Sequence, residues 1–296
     1  MPEVLERKLQ QIREGSYVLT LPKDWVEREG LRKGSSVMMC VERGLLRVYP
    51  LNRSGVTSII DQDLLSPREV EESLRLLYAL GVDRAVVRSS GSLSGEVREV
   101  LRRSRVFLPG ALVTFEENKS VVVEFAGDVL KGHLQALRTF SSSFSACLSR
   151  LVEGGSKEEV EEVMAYSYAQ RRAISREQLR PTGSINVLEV SLLSFYTDSC
   201  IRMTEHLLEL PAIDPRSEVR ELLTAVGRSV REAVRYYESG DVSRLNALVD
   251  DLHNRLHGIE SIQGEADVHL IGIIMSCISA LESLREAVLV RYLGEG

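Results

Sequence analysis

From Val129 onward this chain of 296 residues carries one helical pattern twice. Gly155, ahead of a helix opened by Ser156, recurs 85 residues later as Gly240 ahead of Asp241, and Gly183 recurs 81 residues later as Gly264. Each copy is long enough for three helices joined by short turns. Residues 129–210 and 216–293 are therefore expected to form two three-helix bundles of similar size. Such a repeat sets the architecture before any local detail, because each copy brings the same set of apolar faces to be buried. Ser156 and Glu159 have the spacing of a capping box, and Asp214-Pro215 puts an N-cap before a proline at the first helical position. Pro181 and Pro211 punctuate the pattern. Leu188, Leu192, Phe195 and Met203 form a stripe at helical spacing, as do Leu270, Ile274, Ile278 and Leu281. Both stripes are expected to be core.

Ahead of the helices, residues 56–125 read as β-α-β-α-β-β. VTSII is a strand. Ser66-Pro67-Arg68-Glu69 supplies an N-cap, a proline at the first helical position and a capping glutamate, and the helix stops at Gly81. RAVVRSS is a strand, GEVREVLRRSR a helix, and ALVTF pairs with SVVVEF across Glu117-Asn118. Residues 7–50 read as two hairpins. RKLQQI and YVLTLP turn at Glu14-Gly15-Ser16, and SVMMCV and LLRVYP turn at Glu42-Arg43-Gly44. Between them KDWVEREGLRKG reads as one short helix closed by Gly30, then a loop through Gly34. Some forty residues bury little surface alone, so a dimer sharing one core is the simplest physical solution.

Composition narrows the classes. Apolar residues make up 44% and charged residues 27%, an ordinary balance for a packed protein. The longest uncharged apolar run, around His269 to Leu281, is shorter than the roughly 20 residues of a membrane span. No signal peptide is read at the charged N-terminus. Cys40, Cys147, Cys200 and Cys277 are far apart with no CxxC spacing, which fits a reducing cytoplasm rather than a disulfide framework. Residues 1–50 carry nine basic and seven acidic side chains, a balance of +2, while the remainder carries 28 and 36, a balance of −8. Nucleic acid is thus compatible with the head only. Gly91-Ser92-Leu93-Ser94-Gly95 has the spelling of a nucleophile elbow, but the segment is too small for that fold and reads as a turn with a serine N-cap. With no phosphate-cradling Gly-Lys-Ser/Thr loop, the chain is expected not to be an enzyme.

The N-terminal stretch resembles the AbrB/MazE/SpoVT swapped-hairpin family, especially its archaeal branch. The resemblance rests on Gly15-Ser16-Tyr17-Val18-Leu19-Thr20-Leu21-Pro22-Lys23-Asp24-Trp25, Gly30-Leu31, Lys33-Gly34 and the closing hairpin. It implies a homodimer in which hairpins from two chains interleave, with a face able to bind DNA. Arg7, Lys8, Arg13, Lys23, Arg28, Arg32 and Lys33 are then the candidate DNA-binding residues, each duplicated by a two-fold axis, and binding would be steeply salt-dependent. DNA-binding bacterial members carry an arginine pair just after the proline. Here those positions are Val26 and Glu27, and Asp24, Glu27 and Glu29 make the helix acidic. Dimerisation without DNA is the competing reading.

The helical repeat resembles PhoU, the regulator of phosphate uptake, whose fold is two three-helix bundles. That family carries an acid-x-x-x-acid signature on the third helix of each bundle. Glu282 and Glu286 keep both acids, while Ile201-Arg202-Met203-Thr204-Glu205-His206 keeps one acid and the histidine. Carboxylates at i,i+4 share a helix face and can bind a hard or first-row metal ion. The resemblance thus implies a divalent metal site at Glu282 and Glu286, with Asp250 or Asp251, and Asn254, opposite. An i,i+3 pair between Glu282 and Arg285 is the competing reading. His206 with Glu205 is a further candidate ligand pair. The middle α/β unit resembles the linker domain of archaeal AbrB–PhoU chains.

The expected whole is a multidomain α+β chain: a swapped-hairpin β domain over 1–52, a small α/β domain over 53–127, and an all-α pair of three-helix bundles over 128–296. The expected function is a dimeric, cytoplasmic regulator of phosphate uptake that binds DNA through its head. The alternative is an adaptor that down-regulates a phosphate transporter or its signalling partner, with the head only dimerising.

Overall fold

A computed structural model describes residues 6–12, 15–42, 45–50, 56–116, 118–125, 129–130, 132–179, 185–210, 217–259 and 265–294. Arg13, Arg43-Gly44, Glu117, Pro181, Gly183, Pro211, Asp214-Pro215 and Gly264 lie outside the described residues. The chain is mixed α and β, mostly helical, and divides into two compact units, Met1–Ser54 and Gly55–Gly296.

The first unit holds two separate antiparallel hairpins, β1 (Gln10–Ile12) with β2 (Ser16–Val18), and β3 (Val37–Glu42) with β4 (Leu45–Pro50). Between them lies helix α1 (Lys23–Arg28). Gly30 follows α1 with φ +66°, a left-handed conformation that glycine adopts without steric cost, and so ends the helix. Among the residues of this unit whose burial is described, only Pro50 is buried. Ile12, Tyr17, Met39 and Val41 are exposed by 53, 67, 62 and 76%.

In the second unit β5 (Thr57–Asp61), β6 (Arg84–Arg88), β7 (Ala111–Glu116) and β8 (Ser120–Phe125) form one sheet of order β5-β6-β8-β7. β5 and β6 run parallel and the other pairs antiparallel. Helices α2 (Pro67–Ala79) and α3 (Gly95–Phe107) supply Val70, Leu74, Val97 and Leu101 to a core shared with Ala85, Val87, Val121 and Val123 of the sheet. The capping box at Ser66 and Glu69 opens α2 as its sequence requires.

Among the described residues six helices follow: α4 (Gly132–Val152), α5 (Lys157–Leu179), α6 (Val187–Glu209), α7 (Ser217–Ser239), α8 (Val242–Ile259) and α9 (Glu265–Gly294). They bury one contiguous core: α6 packs most extensively on α9, and α4 on α7. The α/β layer, read from the sequence as a linker domain ending at residue 127, packs on α5 and shares its core with Ala136, Ala169 and Ala173. Buried Arg172 of α5 makes the tie, donating to the carbonyls of Tyr78, Val82 and Phe125 at 3.1, 2.6 and 3.2 Å. Its guanidinium stacks near the rings of Tyr78 and Phe125.

Two local expectations are corrected. Leu188 and Phe195 are each 62% exposed, while Met203 is buried and Leu192 packs on the core as expected; the rest of the buried stripe of α6 is Val190, Leu193, Tyr196, Cys200 and Leu207. Packing against both α5 and α9 turns the buried face away from Leu188 and Phe195. The capping box at Ser156 is replaced: its hydroxyl bonds Glu158, and the Glu159 carboxylate pairs with Arg150 at 3.0 Å. Leu270, Ile274, Ile278 and Leu281 are buried. Among the described residues no helix is long and apolar enough to cross a membrane.

Candidate functional site

Three places carry chemistry-bearing residues. The first is the head. Arg7, Lys8, Lys23, Arg28, Arg32 and Lys33 are all exposed, and Arg13 lies outside the described residues. Arg7, Lys23 and Arg28 come together around an open recess that Trp25 also lines. Three cations around one recess favour an anion, and phosphate oxygens are the anions that exposed Lys and Arg most commonly meet on nucleic acid. Asp24 lines the same recess, and Lys23 pairs with Glu27 at 3.6 Å, so part of the positive potential is spent locally.

The second place is the α8–α9 pair. Asp250, Asp251 and Glu286 are exposed and Glu282 is half-buried. Asp251 accepts from Arg255 Nε at 2.8 Å, and Glu286 lies 3.7 Å from Arg285. The carboxylates do not converge as a ligand cluster. Helical i,i+4 spacing aligned Asp251 with an arginine of its own helix rather than with a facing acid.

The third place was not legible as a set. His206 and Glu209 stand one turn apart near the end of α6, and His269 stands in the first turns of α9. The two helices run antiparallel, because Glu189 at the start of α6 meets Arg291 near the end of α9. The end of α6 therefore faces the start of α9. One ligand atom from each of His206, Glu209 and His269 lies within 4.8 Å of the others, and among the described residues no other such group of three forms. The two imidazole rings are 6.0 Å apart and tilted by 55°. Glu205, the partner first read for His206, is not part of the group; its carboxyl is pushed up by burial. The available signal was Gly272, a glycine inside an apolar helical run one turn after His269.

Some other buried polar groups are accounted for by their partners. Glu189 accepts from the Tyr237 hydroxyl at 2.6 Å and pairs with Arg291, whose guanidinium lies 4.0 Å over the Tyr237 ring. Burial pushes the Cys147 thiol up to about 12 and raises Cys200 and Cys277 as well, so these thiols are inert. In the Gly91–Gly95 segment the Ser94 hydroxyl caps α3 by accepting from the Val97 amide. Hydrogen bonds from Ser90, and next from the Ser89 hydroxyl, hold the Asp63 carboxyl down at about 2.

Comparison with protein-family models, with curated proteins and with solved structures finds no significant match to this chain.

Proposed function

We propose that this chain is a dimeric regulator of phosphate uptake that binds DNA through its head. The observation that carries the reading is the apolar exposure of the hairpins. Ile12, Tyr17, Met39 and Val41 stand in solvent on strands too short to form a core of their own. A second copy laid across them would bury that surface and would set the cations of the two recesses symmetrically about one axis. The link to phosphate rests on the resemblance of the helical region to PhoU, and the run of six helices that share one core supports it.

DNA affinity measured against salt concentration tests the reading. Arg7→Ala with Lys8→Ala should weaken binding and flatten the logarithmic salt slope by about one per phosphate contact removed. A second reading, an adaptor whose head only dimerises, is favoured by the Lys23–Glu27 pair and by Asp24 in the recess. Absence of DNA binding at low salt by an intact dimer would establish that reading instead.

A further inference from the structure

We propose that His206, Glu209 and His269 hold one first-row divalent transition-metal ion between α6 and α9, with zinc as the reference ion. The inference goes beyond the regulatory reading and stands whether or not the head binds DNA.

The donor set is the first argument. Two imidazoles and one carboxylate are borderline ligands, suited to zinc and its first-row neighbours rather than to magnesium or calcium, which prefer oxygen shells. Three protein ligands also leave a coordination position for water or an anion.

The second argument is Gly272. A Cβ built there would lie 2.5 Å from His206 Nε2 and 2.6 and 2.7 Å from its carbon neighbours. The imidazole thus occupies a slot that any other residue at 272 would close. Glycine inside a helix costs about 1 kcal/mol relative to alanine, so the slot is held at the expense of helix stability. A ring placed this way faces the first turns of α9, where His269 stands.

The third argument is unsatisfied polarity. Nδ1 of His206 and Nδ1 of His269 are buried atoms with no hydrogen-bond partner. Glu209 Oε2 lies 3.3 Å from His269 Nδ1, close enough to attract it but off the line of a hydrogen bond. A buried polar atom left in this state costs about 1–3 kcal/mol and calls for an explanation. A shared cation supplies one, since each ligand offers it a lone pair. Glu209 is the adaptable member: its side chain is 63% exposed, against 27% for His269, so it can swing to close the set.

The test uses the full chain, stripped with a chelator and titrated with Zn²⁺ by calorimetry and with Co²⁺ by visible absorption. One ion per chain is expected. Cobalt should show the visible bands of a nitrogen- and oxygen-ligated site, and the melting temperature should rise with zinc concentration. Removing a ligand should weaken zinc at least ~100-fold, the upper range for removing a mere supporting partner. Glu209→Gln serves as the principal variant, because an exposed side chain can be changed without unfolding the chain. Gly272→Ala keeps every ligand yet displaces the His206 ring, and should also weaken binding. Binding should weaken as the pH falls, because protons compete with the metal for its ligands. No heat and no cobalt spectrum with millimolar metal would overturn the proposal. So would zinc affinity untouched by Glu209→Gln but lost in Glu286→Gln, which would move the ion to the acids of α8 and α9. A melting temperature that responds to Glu209→Gln but never to metal would make the cluster a histidine–carboxylate ion pair, again against the proposal.

Discussion

The two units dispose of their apolar side chains in opposite ways. In the body Phe140, Phe144, Leu193 and Tyr237 are wholly buried in one core that runs through all six long helices. In the head, strands of three to six residues leave Ile12, Tyr17, Met39 and Val41 in solvent. The body buries an extensive core within one chain, while single apolar side chains such as Leu188 and Phe195 stay exposed on its surface. The head's described strands leave apolar side chains in solvent, and that difference is what the proposal of a second copy laid across them rests on.

The largest expected effect is in the body. Phe140→Ala should lower its unfolding free energy by about 3–5 kcal/mol, as truncating a fully buried aromatic does. Denaturant unfolding monitored on the helices should show the same loss at every protein concentration. A loss that varied with concentration would break the comparison, since the body's core would then depend on a second copy. The next effect is in the head. Val41→Ala removes a side chain 76% exposed in the single chain, and at a truly solvent-facing position it would change stability by less than ~0.5 kcal/mol. Under a shared core it should cost about 1–2 kcal/mol per copy, read as weaker self-association on dilution.

The smallest effect is a pH dependence confined to the body. Burial is the main cause that pushes the His133 imidazole below its usual value; the nearby Glu189 and Glu177 oppose the shift. The folded chain keeps this ring neutral while the unfolded chain protonates it. Stability from this group is therefore complete above about pH 6.5 and falls as the pH drops below it. The melting temperature should decline from pH 7 to pH 5, and His133→Asn should flatten part of that slope. An unchanged slope would place the titrating group elsewhere.

What was legible in the sequence was local. Ser66, Pro67 and Glu69 announce the start of α2 within four residues, and Gly30 announces the end of α1, because caps and turns depend on immediate neighbours. The repeat made the six helices countable. The site was not legible, because its members come from residues 206, 209 and 269 on two helices that meet only through packing. The acids at 250, 251, 282 and 286 had the right spacing along their helices, yet spacing on one helix does not say which face its neighbour covers. Leu188 and Phe195 failed for the same reason: a helix packed on two sides carries more than one apolar stripe, and only the packing selects among them. Arg172 and Glu189 read as ordinary polar letters until partners 90 and 102 residues away took them out of water.

The most direct test of the account is the mass of the full chain in sedimentation equilibrium over a range of concentrations, beside that of Val41→Asp. The account predicts a dimer for the intact chain. It predicts a monomer for the variant, in which a charge is set into the shared apolar surface, with the helical melting transition retained. A monomeric intact chain at tens of micromolar, or a variant that dimerises as tightly as the parent, would contradict it.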